Sequence, residues 1–292
     1  MKTCAKTRRI AALWLALLLL LGGCSAVNRD AVFGSGTDET TRRQDVLTVE
    51  FLDVGQANAA LLTCGGQSLL IDGGNVADGA KVTRAVQAVT DRLDYVVNTH
   101  GHEDHVGGLA AVVDAVPVGQ AMVSPVATES AYYQDFIDAL ADRGVTPVAG
   151  QAGMQFPLGG AKCTVLGPVA AGSDLNNSSL VLQVRFGGVT FLFMGDAGVE
   201  EERSLIQSGA DVRCDVLAVG HHGSAAATGY VFLRQARPKY AVISVGADNS
   251  YGHPAENTLS RLRDAGCAVY RTDLSGTITV VTDKNGKIRF SA

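Results

Sequence analysis

"VVNTHGHEDHVGG", residues 96–108, places three histidines and two acids in six consecutive positions. The chain has only six histidines, so half of them are gathered here. The residues just before them, "YVVNT", are rich in β-branched and aromatic types and read as the end of a buried strand. His100 and His102 stand two apart in an extended segment, so both imidazoles can face one metal ion. Asp104 and His105 sit at the entry of an expected helix, turned away from that pair, and can hold a second ion. Asp104 on its own reads equally well as the N-cap of that helix. Gly107 and Gly108 remove side chains where the loop has to fold back tightly.

The pairing of a strand with a reactive residue at its end recurs along the chain. Asp72 follows "LLI", Asp196 follows "FLFMG", His221 and His222 follow "VLAVG", and His253 comes shortly after "AVISV". Strand ends in sheet-based folds converge on one edge, and ligand sites form there. Asp196 has two carboxylate oxygens and can bridge two ions. His221, the nearer of its pair to the strand end, then completes the second ligand set, although the sequence does not separate it from His222. Asp72 in "DGG" reads either as a turn residue or as a carboxylate that orients a ligand histidine from behind.

The pattern predicts strands at 46–55, 59–64 and 68–74, a helix at 78–91, then strand 94–99, helix 105–115, strand 120–124, helix 131–142 and strand 145–148. After Gly150 it predicts strands at 162–166, 179–186 and 189–194, the last two joined in hairpin fashion. Helix 198–208, strand 215–219, helix 227–236, strand 239–245 and helix 255–265 follow. Strands near 267–271, 276–282 and 287–291 close the chain. Each half opens as a β-meander and continues into βα units. Packed sheet to sheet, the halves predict an α/β fold, a four-layer αββα sandwich.

Composition supports a large core: 47% of the 292 residues are hydrophobic and 18% are charged, which excludes wholesale disorder. Residues 1–24 read as a targeting segment. Lys2, Lys6, Arg8 and Arg9 precede an apolar run, Ile10 to Leu21, too short for a comfortable membrane span. "LGGC", Leu21 to Cys24, resembles the lipobox of bacterial lipoproteins and marks Cys24 for lipidation. Residues 25–45 are polar and aperiodic and read as a flexible tether to a globular domain at 46–292. The expected location is outside the cytoplasm, lipid-anchored on the outer side of the bacterial membrane. Without residues 1–23 the 24 Lys and Arg fall to 20 against 29 Asp and Glu, a net of −9. That balance disfavours a protein that grips long nucleic acid through a basic face. Cys64, Cys163, Cys214 and Cys267 form no CxxC pair and read as small buried hydrophobes, with room for one disulfide outside the cytoplasm.

Several stretches together resemble one family. "FLDVGQANAALL", "LLIDGG", "THGHEDHVGGL", "NNSSLVLQVRFGGVTFLFMGD", "VLAVGHHGS" and "NSYGHP" span most of residues 46–292. They are similar to the metallo-β-lactamase superfamily, whose signature is HxHxDH with a later Asp and a later His. Within it they look like the soluble hydrolase domain of the ComEC branch, whose members serve DNA uptake. The resemblance implies a metallo-β-lactamase sandwich with two divalent ions, zinc or manganese. Its ligands would be His100, His102, Asp104, His105, Asp196 and one histidine of the 221–222 pair. Many members carry another ligand histidine where this chain has "DLNNSSL". Asn176, Asn177 or Ser179, or water, would face the first ion instead, a weaker donor set that tolerates manganese. The branch's usual "VGQGDA" is "VGQANA" here, with Asn58 in place of an acid. ComEC proteins also carry membrane helices, which this chain lacks beyond its leader, so a stand-alone, lipid-tethered domain is expected.

The implied activity is binuclear hydrolysis of a phosphodiester, a nuclease-type reaction on DNA, single strands included, or on a nucleotide-type diester. Asp104, His222 and His253 are the expected catalytic groups. Asp72, Asn177, Ser179 and Ser224 are expected to support the ligands or to contact the substrate. A rival reading is hydrolysis of a lactone, thioester or β-lactam by the same centre. A third is a surface-binding protein without catalysis.

Overall fold

The computed structural model describes residues 46–292. The leader, Cys24 and the tether expected at 25–45 lie outside the described residues. The first half runs β1 (Val46–Phe51), β2 (Ala60–Cys64), β3 (Gln67–Ile71), α1 (Gly79–Val89), β4 (Leu93–Asn98), α2 (Glu103–Val106), α3 (Leu109–Ala115), β5 (Val118–Val123), α4 (Ala131–Asp142) and β6 (Val148–Ala149). The second half runs β7 (Gln155–Leu158), β8 (Ala161–Gly167), β9 (Val181–Phe186), β10 (Val189–Phe193), α5 (Val199–Gln207), β11 (Val216–Ala218), α6 (Tyr230–Ala236), β12 (Tyr240–Ile243), α7 (Glu256–Asp264), β13 (Ala268–Arg271) and α8 (Thr272–Ser275). Strands β14 (Ile278–Asp283) and β15 (Ile288–Ser291) end the chain.

Three apolar layers separate four layers of structure. Leu47, Val49 and Phe51 of β1 alternate inward and meet Val184, Phe191 and Phe193 of the other sheet. The Phe51 and Phe193 rings stack across this interface with centroids 5.8 Å apart. Leu61, Leu70 and Val96 face the opposite way, onto Val82 and Val86 of α1, Val112 of α3 and Phe136 of α4. Leu192, Leu217 and Ala241 likewise bury against Leu205, Phe232 and Leu262 of the second helical layer. Residues 60–62 of β2 and 69–71 of β3 are therefore unbroken apolar runs, because both faces of these strands are covered there. The αββα sandwich is as expected.

Three features depart from the expectation. The helix foreseen at 105–115 is two short helices, broken at Gly107 and Gly108. A Cβ on Gly108 would overlap the carbonyl oxygen of Gly73, and one on Gly107 would lie 2.5 Å from the Val76 nitrogen. The histidine loop is thus pressed onto the "DGG" turn. Strand β7 was not foreseen; its Pro157 fits because β7 is the edge of its sheet, where a missing N–H costs no ladder bond. Finally, β14 and β15 do not complete the second half. They cross back to the first sheet, whose order is β15-β14-β1-β2-β3-β4-β5-β6, while the second is β13-β12-β11-β10-β9-β8-β7. All four cysteines at 64, 163, 214 and 267 are free, so the disulfide does not form among them.

Candidate metal centre

Parallel pairing aligns the strand ends that carry the reactive residues. β3 and β4 run parallel in register Ile71↔Val97, and β10, β11 and β12 run parallel beside one another. Asp72, His100, Asp196, the His221–His222 pair and the segment leading to His253 all leave those ends on the same side. Backbone bonds tie the loops together: Gly73 N–H donates to His105 O at 2.7 Å, Leu180 N–H to Thr99 O at 2.9 Å, and His221 N–H to Gly195 O at 3.0 Å.

Six side chains form two donor sets that share one carboxylate. His100, His102 and Asp196 make the first; Asp104, His105, Asp196 and His222 make the second. Asp196 offers one oxygen to each. Its Oδ2 lies 3.9 Å from His100 Nε2, while its Oδ1 lies 3.1 Å from His105 Nε2 and 3.8 Å from His222 Nε2. Within the first set His100 Nε2 faces His102 Nδ1 at 3.0 Å, and within the second Asp104 Oδ2 faces His222 Nε2 at 3.1 Å.

The outer ring nitrogens are engaged in a way that prepares the inner ones. His105 Nδ1 lies 2.7 Å from Asp72 Oδ2, and His222 Nδ1 lies 2.8 Å from the Ser244 carbonyl. Both partners accept only, so each Nδ1 carries the proton, and a neutral ring presents a bare Nε2 to the centre. Asp72 is itself held by Thr99 N–H at 2.8 Å and Thr99 Oγ1 at 2.8 Å, with a left-handed φ of 59°. Asp and Asn tolerate that region better than other side chains do. His100 Nδ1 rests 3.3 Å from Ser179 Oγ, which also accepts from Asp196 N–H at 3.1 Å.

The donor chemistry fits a divalent ion. His105 Nε2 and Asp196 Oδ1 are buried, and neither has a hydrogen-bond partner, although they lie 3.1 Å apart. Orphaned buried polar atoms of this kind are costly unless something coordinates them. Charge points the same way. Burial disfavours the protonated form of His105, yet Asp196, Asp72 and Asp104 outweigh it and hold the ring well above the imidazole range. Burial likewise opposes ionisation of Asp196, and His105 and His222 overcome it. Asp104 comes down to about 2, with His105 and His222 again prevailing over burial. Such a pocket demands positive charge, which a divalent ion supplies while the imidazoles stay neutral.

Each foreseen residue has a definite place. The sequence reading favoured His221 for the second set, but the geometry groups His222 there. His222 is buried, whereas the His221 side chain is 28% exposed, with Nε2 3.7 Å from Asp196 Oδ2. Both histidines have φ of 52°, a strained left-handed pair of the sort found at functional sites. His253 lines the same cavity, of about 550 Å³, as His102, Asp104, Asp196 and the two histidines. Burial pushes its imidazole below the usual range, and the neighbouring His221 and His222 add to the effect. Of the three residues in "DLNNSSL", only Asn176 reaches this cavity, and its Oδ1 is buried without a partner. Asn177 Oδ1 instead accepts from Gly198 N–H at 3.1 Å, at the start of α5, and Ser179 supports His100 from behind. Ser224 is turned into its own loop, where Oγ accepts from Ala226 N–H at 3.3 Å. Asn58 acts through its backbone, donating to Asp104 O at 2.9 Å. Gln56, Thr99, Ser244 and Tyr251 were not singled out in the sequence.

Comparison with known proteins agrees with this architecture. The sequence model of the metallo-beta-lactamase superfamily matches residues 52–247. The ComE operon protein 3 of Bacillus subtilis is 32% identical over 188 residues, 64% of this chain and 24% of that protein. The competence protein ComA of Neisseria gonorrhoeae is 33% identical over 238 residues, 80% of this chain and 32% of that one. The chain therefore spans about a quarter to a third of the length of these relatives. Among solved structures, the metallo-beta-lactamase fold protein YhfI from Bacillus subtilis superposes with a TM-score of 0.54 at 13% identity, covering 85% of this chain and all of that one. It speaks for the fold alone.

Proposed function

Because the chain belongs to the metallo-beta-lactamase superfamily, we propose that it is a metal-dependent hydrolase of phosphodiesters, acting on DNA or a nucleotide-type diester outside the cytoplasm. Two divalent ions, zinc or manganese, held by the two sets would supply Lewis acidity and an activated water. His100, His102 and Asp196 would hold one, and Asp104, His105, His222 and Asp196 the other. Asn176 offers this cavity an amide oxygen in place of a further imidazole, a donor that suits manganese.

The observation that carries the diester reading is the pair of imidazoles left over. His221 and His253 line the cavity but belong to neither donor set. Gln56 fixes the state of His253. Its Oε1 accepts from Gly246 N–H at 3.1 Å, which orients the amide so that Nε2 faces His253 Nδ1 at 3.4 Å. The His253 proton is thereby placed on Nε2, a donor suited to a phosphate oxygen or a departing alkoxide. Donors of this number match an anionic phosphoryl group better than the single developing charge of an acyl transfer. The likeness to a competence protein supports DNA as the substrate class.

Turnover of a single-stranded oligonucleotide and of a small diester, each with manganese and with zinc, tests the proposal. His102→Ala is the blank. Cleavage is expected to be faster with manganese and to fall only shallowly between roughly 50 and 200 mM salt, because few phosphates are held by basic side chains. Lactone or thioester turnover without cleavage of any diester refutes it.

We place the protein on the outer face of the membrane through lipid on Cys24. No described helix is long and apolar enough to cross a membrane. Loss of fatty-acid labelling in Cys24→Ser is the expected result, and persistent labelling contradicts the anchor.

A further inference from the structure

Three aromatic rings lead outward from the metal centre. The His222 and His253 rings are 6.5 Å apart, centroid to centroid, and 22° from parallel. His253 and Tyr251 are 5.7 Å apart and 23° from parallel. The innermost ring belongs to the second donor set, and the outermost is 72% exposed. All three line the same cavity.

A lone exposed tyrosine on a loose loop would carry no meaning. This one is pinned. Asn249 Oδ1 accepts from the backbone N–H of Tyr251 at 3.2 Å and of His253 at 3.0 Å. Its Nδ2 donates to the carbonyls of Gly246 at 2.9 Å and His253 at 2.6 Å. Gly246 is in turn packed against the Gln56 turn, where a Cβ would lie 2.6 Å from the Gln56 nitrogen. The Tyr251 ring is therefore presented in advance, and a ligand stacking on it pays little for ordering the loop.

The charge around the cavity says what such a ligand is. Among the described residues that line it are Glu103, Asp104 and Asp196, and neither lysine nor arginine. A substrate offering phosphate alone would find no protein cation to add to ions in the donor sets. Further affinity has to come from an uncharged contact, and the contact available is a flat π face. A nucleobase fits it, since stacking on an aromatic side chain is strong and indifferent to sequence.

We infer that Tyr251 is the platform for a nucleobase flanking the scissile phosphate, which makes the substrate a nucleotide or oligonucleotide rather than a simple alkyl diester. This rests on the phosphodiesterase reading and adds to it the residue that recognises the base. His253 then lies between the base and the second donor set, where its Nε2–H can meet the phosphate that joins them.

Kinetics on two single-stranded substrates test it: a thymidylate oligonucleotide, and one of equal length whose bases are all replaced by hydrogen. Tyr251→Ala should raise KM on the thymidylate strand by roughly 5- to 150-fold, the loss of one base–aromatic stack, with kcat nearly unchanged. It should leave KM on the base-free strand unaltered, and Tyr251→Phe should match the wild type on both. Equal loss on the two strands, or no loss on thymidylate, overturns the platform while leaving the diesterase intact. Cleavage of neither strand, or cleavage that survives His102→Ala, overturns the diesterase reading and the platform with it.

Discussion

Asp72→Asn should disable the second donor set without disturbing the fold. The backbone at this position has a φ of 59°, which asparagine accepts as readily as aspartate. Oδ1 of Asp72 receives Thr99 N–H at 2.8 Å and Asn98 Nδ2 at 3.4 Å, both of them donors. An asparagine must keep its carbonyl oxygen there, so its NH2 replaces Oδ2 and points at His105 Nδ1, now 2.7 Å from a carboxylate oxygen. Two donors cannot face each other at that distance. His105 then moves its proton to Nε2, the atom 3.1 Å from Asp196 Oδ1, and ceases to be a ligand in its preferred form. Loss of an orienting partner of this kind typically weakens metal binding about 10- to 100-fold, or about 1.4 to 2.7 kcal/mol. The first set meets Asp72 Oδ2 only through Thr99 Oγ1, which lies 3.3 Å from His100 Nδ1, and should keep most of its affinity. Calorimetric titration with manganese, fitted to two sites, separates the cases, with circular dichroism as the check on folding. Unchanged affinity at both sites in a folded Asp72→Asn protein would refute the reasoning.

His222→Ala should leave one tight ion per chain, whereas His221→Ala should keep two; metal content after gel filtration distinguishes them. Glu202 is buried, and burial pushes its carboxyl up to about 7 even though it accepts from Gly229 and Thr228 N–H. Its folded value exceeds its unfolded one, so its contribution is complete below about pH 4.3 and is lost as pH rises through about 7, on the order of 3 kcal/mol. Urea midpoints at pH 5 and pH 8 should differ less in Glu202→Gln than in the wild type. Gly108→Ala should lower stability by about 1–3 kcal/mol, because the new methyl overlaps the Gly73 carbonyl; an unchanged melting curve would contradict that contact.

The parts of the site that could be read from the sequence are those written in one short stretch or at an obvious strand end. His100, His102, Asp104 and His105 declared themselves by spacing, and Asp196 by following "FLFMG". The choice between His221 and His222 was not legible. Both adopt left-handed backbone, which local rules reserve for glycine, so the direction of each ring could not be inferred from its place after β11. What fixes His222 is the Ser244 carbonyl, a backbone atom that leaves no mark in the residue code. Gln56 and Tyr251 belong to quoted motifs, but Gln56 meets Gly246 across 190 positions, and Tyr251 is tied to the centre only through His253, whose ring reaches His222 from far along the chain. Alternation predicted the existence of β14 and β15 but not their sheet, since their hydrophobic pattern serves either face of the same interior. Strand β1, which β14 joins, lies at the opposite end of the described chain.

The acidity of the cavity gives metal and substrate a reason to depend on each other. Glu103, Asp104 and Asp196 bring three negative charges to its lining and no lysine or arginine offsets them. Without ions, a phosphate approaching this cavity meets like charge at short range, in surroundings where Coulomb energies are larger than in water. Two divalent ions held by the donor sets would reverse the balance to about +1, and phosphate affinity should then be conferred almost wholly by metal loading. Thermodynamic linkage makes the effect reciprocal: phosphate must tighten metal binding by the same factor. Couplings between linked sites are typically about 1–3 kcal/mol, which is roughly 5- to 150-fold in affinity. Manganese titrations at buffered free metal, with and without saturating inorganic phosphate, measure that factor directly. His221 and His253, outside the donor sets, are available to add hydrogen bonds once the ions have drawn the anion in, so His253→Ala should reduce the coupling without abolishing it. Metal affinity indifferent to phosphate would mean that the anion is held elsewhere, by cations outside this cavity, and would remove the electrostatic argument for a diester at this centre.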